Sequence, residues 1–318
     1  MTGHIIVIPP VRADRSATIT GLTAPRRTGR DVHQKHLPLS VWLAAADADT
    51  FPVCRSGCCV PVSQSLARHL VTACTQLGDL VIDMDAADHN VISTALTLGC
   101  QATATVTSPR LAGQIGKRVA TTHPAADLEV ADLRVVRPES LLCAVKDLAG
   151  AAALVVLTHT CPGPHMGQPL TTARYVDAPE QTTVDPAGLA ALLKPGGHLV
   201  VVTGLHRGEQ DLIDPAPSLI AGAKRSGLAY MQHIVALRVP VRSGQLEQLL
   251  GWGAPTAGSA RAGLPGSAHV HSDVLIFTKP RAGRESPPSV VEPPQRTDHQ
   301  QMDCPAPGER SWLKGQLS

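Results

Sequence analysis

The chain has 318 residues, of which 43% are hydrophobic and 17% are charged, and its formal net charge is +2. This length suffices for one sizeable α/β core with tails, which we favour over two small domains. The small net charge excludes the strongly basic overall surface typical of nucleic-acid-binding proteins and leaves only a local basic patch for that role. Because the chain has only two Phe, two Tyr and three Trp, its core must be built mainly from Leu, Val, Ile and Ala.

The N-terminal residues 1–37 are rich in Arg, Thr, Gly and Pro, with one positive cluster at Arg26–Arg30. We predict a disordered arm here, with a phosphate-contacting arm as the alternative. The apolar run His4–Ile8 is too short and too poorly flanked for a signal peptide. No apolar stretch reaches the roughly eighteen residues of a membrane span, so we expect a cytoplasmic protein with no membrane partner.

The eight cysteines are scattered along the chain. In the absence of a secretory signal, we expect them to be reduced thiols. The densest group is Cys54, Cys58 and Cys59, whose spacing differs from the paired C-x-x-C of most zinc sites. No second pair follows at a finger-like distance, so we interpret them as unligated loop cysteines and predict no metal.

The central prediction concerns residues 77–106. Asp79–Asp83 is a short apolar run closed by an acid, which indicates a buried strand, and Val91–Leu98 has the apolar spacing of a helix that Gly99 ends. Gln101–Val106 then returns as a second strand. Together they make one βαβ unit, whose right-handed crossover places the turn after Asp83 at the carboxyl edge of a parallel sheet.

The flanking segments continue the alternation of helices and strands. A short apolar element at Leu39–Leu43 precedes a helix that begins near Ser63, and Ser108-Pro109 has the residues of a second helix start. Ala151–Leu157 is a continuous apolar run, typical of a central strand covered on both faces. The remaining predicted elements are a strand near Leu128–Arg134, a helix Gly188–Leu193, a strand His198–Thr203, a helix Pro217–Ser226, an antiparallel pair Leu228–Val239 and Val270–Phe277, and a disordered Pro-rich tail 281–318.

Three of these segments carry a family resemblance. The turn Asp83-Met84-Asp85-Ala86-Ala87-Asp88-His89-Asn90 resembles the first motif, D-P-x-x-G-x-G-T, of the S-adenosylmethionine-dependent methyltransferases that act on exocyclic amino groups of DNA or RNA bases. Residues 192–202, L-L-K-P-G-G-H-L-V-V-V, resemble a phrase shared by many methyltransferases, and His271–Phe277 resembles their closing strand. The resemblance implies that residues 38–280 form a Rossmann-like seven-stranded sandwich, mostly parallel, with an antiparallel closing hairpin.

The resemblance also implies a cofactor site for S-adenosylmethionine and names its residues. Asp83, Ala87 and His89 stand at positions of the first motif, and Asp132 stands where the third motif has an acid that contacts the adenine. These four are the predicted cofactor-binding residues. A lone Asp after a strand, such as Asp132, is more often an ordinary turn residue or helix cap.

The predicted catalytic residues are Thr160, Cys161 and Pro162. They follow the central strand, where the family has [DNS]-P-P-[YFW] to hold the target amino group and to stack on a flipped base, so nucleic acid is the implied partner. His159, Cys161 and His165 could also suggest a metal or nucleophile, but a turn rich in Pro and Gly explains the composition as well, and we favour that interpretation.

Several departures from the family pattern bear on activity. Ala87 and His89 replace glycines, which permit a close ligand approach that side chains obstruct. The second strand ends Thr105-Val106-Thr107 without the acid that holds the ligand ribose, and the stretch Thr158–Pro164 has no aromatic residue. We therefore predict weak or absent cofactor binding and a degenerate enzyme. The alternatives are an active but divergent DNA or RNA N-methyltransferase, or a non-enzymatic binding or scaffold module.

Overall fold

The computed structural model describes residues 39–44, 62–158, 185–207, 212–239, 241–242, 245–246 and 270–281. The predicted N-terminal arm, the cysteine group at Cys54–Cys59, the loop with Thr160, Cys161 and Pro162, and all but the first residue of the Pro-rich tail lie outside these ranges. No helix within the described residues is long and apolar enough to cross a membrane.

The described elements alternate between strands and helices. The strands are β1 (Leu39–Leu43), β2 (Leu80–Met84), β3 (Gln101–Val106), β4 (Ala131–Val135), β5 (Ala152–Thr158), β6 (Leu193–Thr203), β7 (His206–Arg207), β8 (Leu212–Ile213), β9 (Ala229–Leu237), β10 (Val241–Arg242), β11 (Gln245–Leu246) and β12 (His271–Thr278). The α-helices are α1 (Gln64–Cys74), α2 (Asn90–Thr97), α3 (Pro109–Thr122), α4 (Ala125–Leu128), α5 (Pro186–Leu192) and α6 (Ala216–Arg225). Two 3-10 segments, Pro138–Ser140 and Cys143–Leu148, join β4 to β5.

The main sheet has the strand order β1-β9-β12-β6-β5-β2-β3-β4. Every neighbouring pair is parallel except those of β12, which runs antiparallel between β6 and β9. This confirms the predicted α/β class with its antiparallel closing hairpin. The predicted number of seven strands is wrong for the described sheet, which has eight, because the apolar element Leu39–Leu43 pairs in parallel with β9 as an edge strand.

The core lies on both faces of this sheet. Leu154 and Val156 of β5 pack with α1, α2 and α3 on one face, whereas Val155 and Leu157 pack with α5, α6 and the 3-10 segments on the other. All four side chains are at most 9% exposed. Coverage on both faces explains why the strand has no alternation of polar and apolar residues.

The predicted helix starts are confirmed by their caps. The Ser63 hydroxyl accepts a hydrogen bond from the Leu66 amide at 3.1 Å, and the Ser108 hydroxyl accepts one from the Leu111 amide at 3.4 Å, with Pro109 at the first helical position. Each cap satisfies an amide that the helix itself leaves without a partner. Gly99 follows α2 with a φ of 71°, which a glycine adopts without strain.

The segment Lys194–Gly197, which lies between the predicted helix Gly188–Leu193 and the predicted strand His198–Thr203, is part of a strand. Strand β6 already begins at Leu193, and the glycines pair irregularly with the end of β12: the Gly196 amide donates to Lys279 O at 2.8 Å, and the Lys279 amide donates to Gly197 O at 2.9 Å. The Lys279 ammonium also donates to the carbonyls of Ala190 and Leu193 at the end of α5. These long-range bonds are invisible in the local sequence.

One cysteine prediction is also wrong. Cys143, which begins the second 3-10 segment, is disulfide-bonded, whereas we expected every cysteine to be a reduced thiol. Cys74 and Cys100 are free thiols, as expected, and burial raises the pKa of Cys74 to about 12. Spacing along the sequence cannot reveal a cross-link between cysteines that only the fold brings together.

The close packing at Gly197 predicts a large effect of a small substitution. A methyl group there would lie 2.7 Å from Ala152 O and 2.9 Å from Lys194 O, both backbone atoms that cannot rotate away. Gly197→Ala should therefore lower the free energy of unfolding by about 1–3 kcal/mol. Gly113→Ala is the matched control: a methyl there meets nothing within 4 Å in the middle of α3, so this variant should be stabilised by about 0.5–1 kcal/mol. Denaturant unfolding measures the stability of both variants. An unchanged free energy of unfolding for Gly197→Ala would contradict the close packing at this position.

Candidate functional site

The candidate site is the turn after β2, at the carboxyl edge of the sheet. Asp83 lies in β2 beside Ala104 of β3 and Val156 of β5, and it is 5% exposed. Burial, followed by the charges of Asp88 and Asp85, raises the pKa of Asp83 well above its usual value. The site therefore begins with a carboxyl group that holds its proton more tightly than an ordinary aspartate.

Asp85 connects this turn to the end of β3. It adopts a φ of 52°, an unusual conformation for a residue other than glycine. Its amide donates to the Thr105 hydroxyl at 2.9 Å, and its carboxylate accepts hydrogen bonds from the Thr107 hydroxyl at 2.9 Å and the Thr107 amide at 3.3 Å. The Asp85 carboxylate thus lies at the end of β3, although the residues that end β3 include no acid.

Asp88 accepts hydrogen bonds from the start of helix α2. Its carboxylate accepts a hydrogen bond from the Asn90 amide at 2.8 Å and another from the Asn90 side chain at 3.0 Å. The buried Asn90 side chain also donates to Val62 O at 3.0 Å, which joins the turn to the segment before α1. The negative end group that a helix start attracts is therefore supplied by the chain itself.

Ala87 and His89 lie beside these acids in the same turn, and both are partly buried. His89 is the N-cap residue of α2, but its side chain makes no capping bond. The structure thus brings together three of the four predicted cofactor residues, Asp83, Ala87 and His89. The side chains of Ala87 and His89 take up space that glycines would leave open.

Asp132 is not brought to this edge. It was expected after a strand but is the second residue of β4, the edge strand of the sheet, level with Thr103 of β3. Its carboxylate accepts a hydrogen bond from Arg134 Nε at 2.8 Å. Arg134 also donates to both oxygens of Asp147, at 2.6 and 2.9 Å, and this contact raises the pKa of Arg134 and lowers that of Asp147. Asp132 therefore belongs to an ion-pair network that joins β4 to the second 3-10 segment.

The segment after β5 that contains the predicted catalytic residues is only partly described. Thr158 ends β5 beside Val202 of β6, and the predicted residues that follow it lie outside the described ranges. Among the described residues, no group of three His, Cys, Asp or Glu side chains could hold a metal ion.

Sequence reasoning missed the roles of Asp85, Thr107 and Asn90. The spacing of Asp88 and Asn90 is a usable signal, since Asp commonly accepts a hydrogen bond from an amide two residues further on. Asp85 offered no such signal, because its partner Thr107 is 22 residues away. Only the pairing of β2 with β3 brings the two together.

The chain was compared with protein families, curated proteins and solved structures. No family model matches the chain, and no curated protein matches it. The solved structures that it resembles include a TehB-like SAM-dependent methyltransferase from Corynebacterium glutamicum, at 15% identity over 67% of this chain and 86% of that one, with a TM-score of 0.38.

Two further structures are similar to a comparable degree. One is the 1,6-didemethyltoxoflavin-N1-methyltransferase of Burkholderia thailandensis, at 14% identity over 68% of this chain and 78% of that one, with a TM-score of 0.41. The other is a precorrin-6y C5,15-methyltransferase from Geobacter metallireducens, at 10% identity over 69% and 89% of the two chains, with a TM-score of 0.43. The fold of this chain is assigned from its own strand order and register, and not from these likenesses.

The raised pKa of Asp83 predicts a pH-dependent stability. Between an unfolded-state pKa of about 3.9 and the higher folded-state value, the native state binds more protons than the unfolded state, so the contribution of Asp83 to stability falls as pH rises. Asp83→Asn removes the charge and should stabilise the protein at pH 7, with a gain that grows by about 1.4 kcal/mol per pH unit inside that window. Below about pH 4 the gain should vanish.

Asp79→Asn is the control of opposite sign. Burial tends to raise the pKa of Asp79, but its hydrogen bonds with Lys194 and with the Gln76 amide lower it overall. This variant should lose stability at pH 7, with a loss that shrinks as pH falls through the folded-state pKa. Thermal melts of both variants from pH 3 to 8 test the assignment, which fails if Asp83→Asn tracks the wild type throughout.

Proposed function

We propose that this chain is a member of the S-adenosylmethionine-dependent methyltransferase fold, related to the nucleic-acid base methylases, that has lost methyl transfer and binds the cofactor weakly or not at all. The observation that carries the proposal is that the turn 83–90 is closed by its own carboxylates. Asp88 occupies the Asn90 amide, and Asp85 occupies the amide and hydroxyl of Thr107.

The occupied donors are the ones that a cofactor of this kind needs. A ligand carboxylate is held by free amides at a helix start, and ribose hydroxyls are held by polar groups at the end of a neighbouring strand. Here both sets of groups already have internal partners. A ligand would have to displace charge-assisted hydrogen bonds, which are about twice as strong as neutral ones.

Charge and shape oppose the cofactor as well. Asp85 and Asp88 add negative charge to the turn, which is unfavourable for the carboxylate of a bound methionine group. Ala87 and His89 add side chains where the family has glycines. The residues present therefore do not fit S-adenosylmethionine.

The sequence of the base-binding loop supports the same proposal. The stretch Thr158–Pro164 offers no aromatic ring to stack on a flipped base and no Asp or Asn to hold its amino group. Stacking alone contributes roughly 1–3 kcal/mol per base in single-strand binders. Methyl transfer to an exocyclic amine also needs the nitrogen held at a near-attack distance.

A second candidate function is an active but divergent N-methyltransferase. The observation that favours it is the position of Asp85, whose carboxylate lies at the end of β3 next to Thr107. That carboxylate could take the place of the missing strand-end acid if the turn opened. Because Asp85 then has to leave Thr107, this function requires a rearrangement that the first candidate does not.

Calorimetric titration with S-adenosylhomocysteine and S-adenosylmethionine tests the proposal. We expect no saturable binding of either ligand to the wild type at micromolar concentration. The combined variant Ala87→Gly, Asp88→Ala, His89→Gly frees the Asn90 amide and removes two side chains, so it should bind at least about tenfold more tightly than the wild type.

The matched control is Asp214→Ala. Asp214 caps α6 by accepting a hydrogen bond from the Ala216 amide at 3.0 Å, so this variant loses the same charge and the same kind of cap outside the turn. It should leave cofactor binding unchanged. A parallel assay measures incorporation of labelled methyl groups into mixed genomic DNA and total RNA, where we expect none. Stoichiometric binding to the wild type together with methyl incorporation would establish the divergent enzyme instead.

A further inference from the structure

Strand β1 forms one edge of the main sheet, and within the described sheet it pairs with β9 alone. Its five residues, Leu-Ser-Val-Trp-Leu, include no charged residue and no proline, and its register with β9 has no bulge. The edge strand on the other side, β4, carries Asp132 and Arg134, which form an ion pair. Charges, prolines and bulges commonly protect an edge strand from pairing with another chain, and β1 has none of the three.

The backbone of β1 presents alternate residues at the open edge. The Ala44 amide donates to Leu237 O at 3.0 Å, and in a parallel ladder every second residue bonds to the same neighbour, so the even-numbered residues of β1 face β9. Leu39, Val41 and Leu43 therefore direct their amides and carbonyls away from β9. No described residue donates to or accepts from the outward groups of Val41.

The side chains of β1 make the same edge apolar. Val41 and Leu43 are 57% and 52% exposed and lie on one face of the sheet, because side chains alternate along a strand. Trp42, between them, points to the opposite face and packs against the core there. On the exposed face, the register places Val235 and Leu237 of β9 beside Val41 and Leu43, and both are only partly buried. An apolar strip thus extends over two strands up to the open edge.

Side-chain hydrogen bonds hold β1 in place. The Ser63 hydroxyl donates to Ala44 O at 3.2 Å, and the Ser65 hydroxyl donates to Leu43 O at 3.4 Å, so the strand is joined to the start of α1. The Leu43 carbonyl has a second lone pair that can accept another hydrogen bond. Because β1 is already ordered, an added strand pairs with it without the entropy cost of ordering it.

The outward groups of β1 are complementary to those of a second copy of the strand. In an antiparallel pair, residues directly opposite each other exchange both N–H···O bonds. When Val41 lies opposite Val41 of the second copy, Leu39 lies opposite Leu43, and each outward amide has an outward carbonyl as its partner. Opposite side chains lie on the same face, so the apolar strip of one copy continues into that of the other. The same surface is used on both copies, as in a two-fold symmetric dimer.

We infer that two copies of this chain associate through β1, antiparallel about a two-fold axis beside Val41. No charged side chain of β1 opposes this contact. Two five-residue strands and their exposed apolar side chains bury an area on the order of 1,000 Å², which is at the low end of specific interfaces. The dimer is therefore weak and dissociates at micromolar concentration. This interface goes beyond the proposed function and requires no cofactor.

Sedimentation equilibrium of the full-length protein tests the inference. Between about 1 and about 100 μM, the wild type should show a reversible equilibrium of monomer and dimer. Val41→Lys places two like charges beside the two-fold axis and should weaken dimerisation by about tenfold or more. Val41→Asp should have the same effect. An equimolar mixture of the two variants should recover association, because opposite charges then face each other across the axis.

Leu77→Lys is the matched control. Leu77 is 85% exposed and lies before β2, outside β1, so this variant gains the same charge on an exposed apolar residue and should dimerise as the wild type does. Circular dichroism melts show whether each variant is folded. The inference is overturned if the wild type is monomeric over the whole concentration range, or if folded Val41→Lys dimerises as the wild type does. It is also overturned if the mixture of Val41→Lys and Val41→Asp stays monomeric.

Discussion

The coverage of β2 and β5 on both faces is the constraint on which the rest of the structure depends. Their side chains are removed from water by α1 and α2 on one side and by α5 and the 3-10 segments on the other. Polar side chains are consequently confined mainly to strand ends and turns. This explains why Asp83, the one ionisable residue of β2, lies next to its end and has a raised pKa.

The acidic turn supplies hydrogen-bond acceptors that the covered end of the sheet requires. A helix start and a strand end at a buried edge leave amides that need acceptors, and a bound anionic ligand is one way to provide them. In this chain Asp85 and Asp88 provide them instead. Asp85 adopts a left-handed backbone conformation to do so. The turn therefore has some backbone strain, and its polar groups have hydrogen-bond partners within the chain.

Local patterns allowed much of the fold to be predicted from the sequence. The βαβ unit, the caps at Ser63 and Ser108 and the continuous apolar run of β5 each depend on residues close together in the chain, so their physical causes are visible in sequence. The prediction failed where distant segments meet, as β1 does with β9 and Lys279 does with the end of α5. The pairing partner decides these features, and a single segment carries no record of its partner.

The same distinction applies to the candidate site. Asp83, Ala87 and His89 could be placed together because they share one turn, whereas Asp132 could not, since an acid near a strand looks alike in sequence at either end of that strand. Its neighbour Arg134, two residues on and therefore on the same face of β4, is the better guide to its role. An acid and an arginine in that spacing favour an ion pair over a ligand contact.

The antiparallel direction of β12 gives the carboxyl edge a second chemistry. In a purely parallel sheet only strand ends reach this edge, but β12 brings its first residues there, among them His271 and Asp273. The acids of the turn after β2 are engaged by backbone amides, which do not titrate. Asp273 instead faces two imidazole nitrogens, with its Oδ1 2.8 Å from His233 Nε2 and 3.8 Å from His271 Nε2. One edge therefore carries two acidic groups of different character, one closed on itself and one open to solvent.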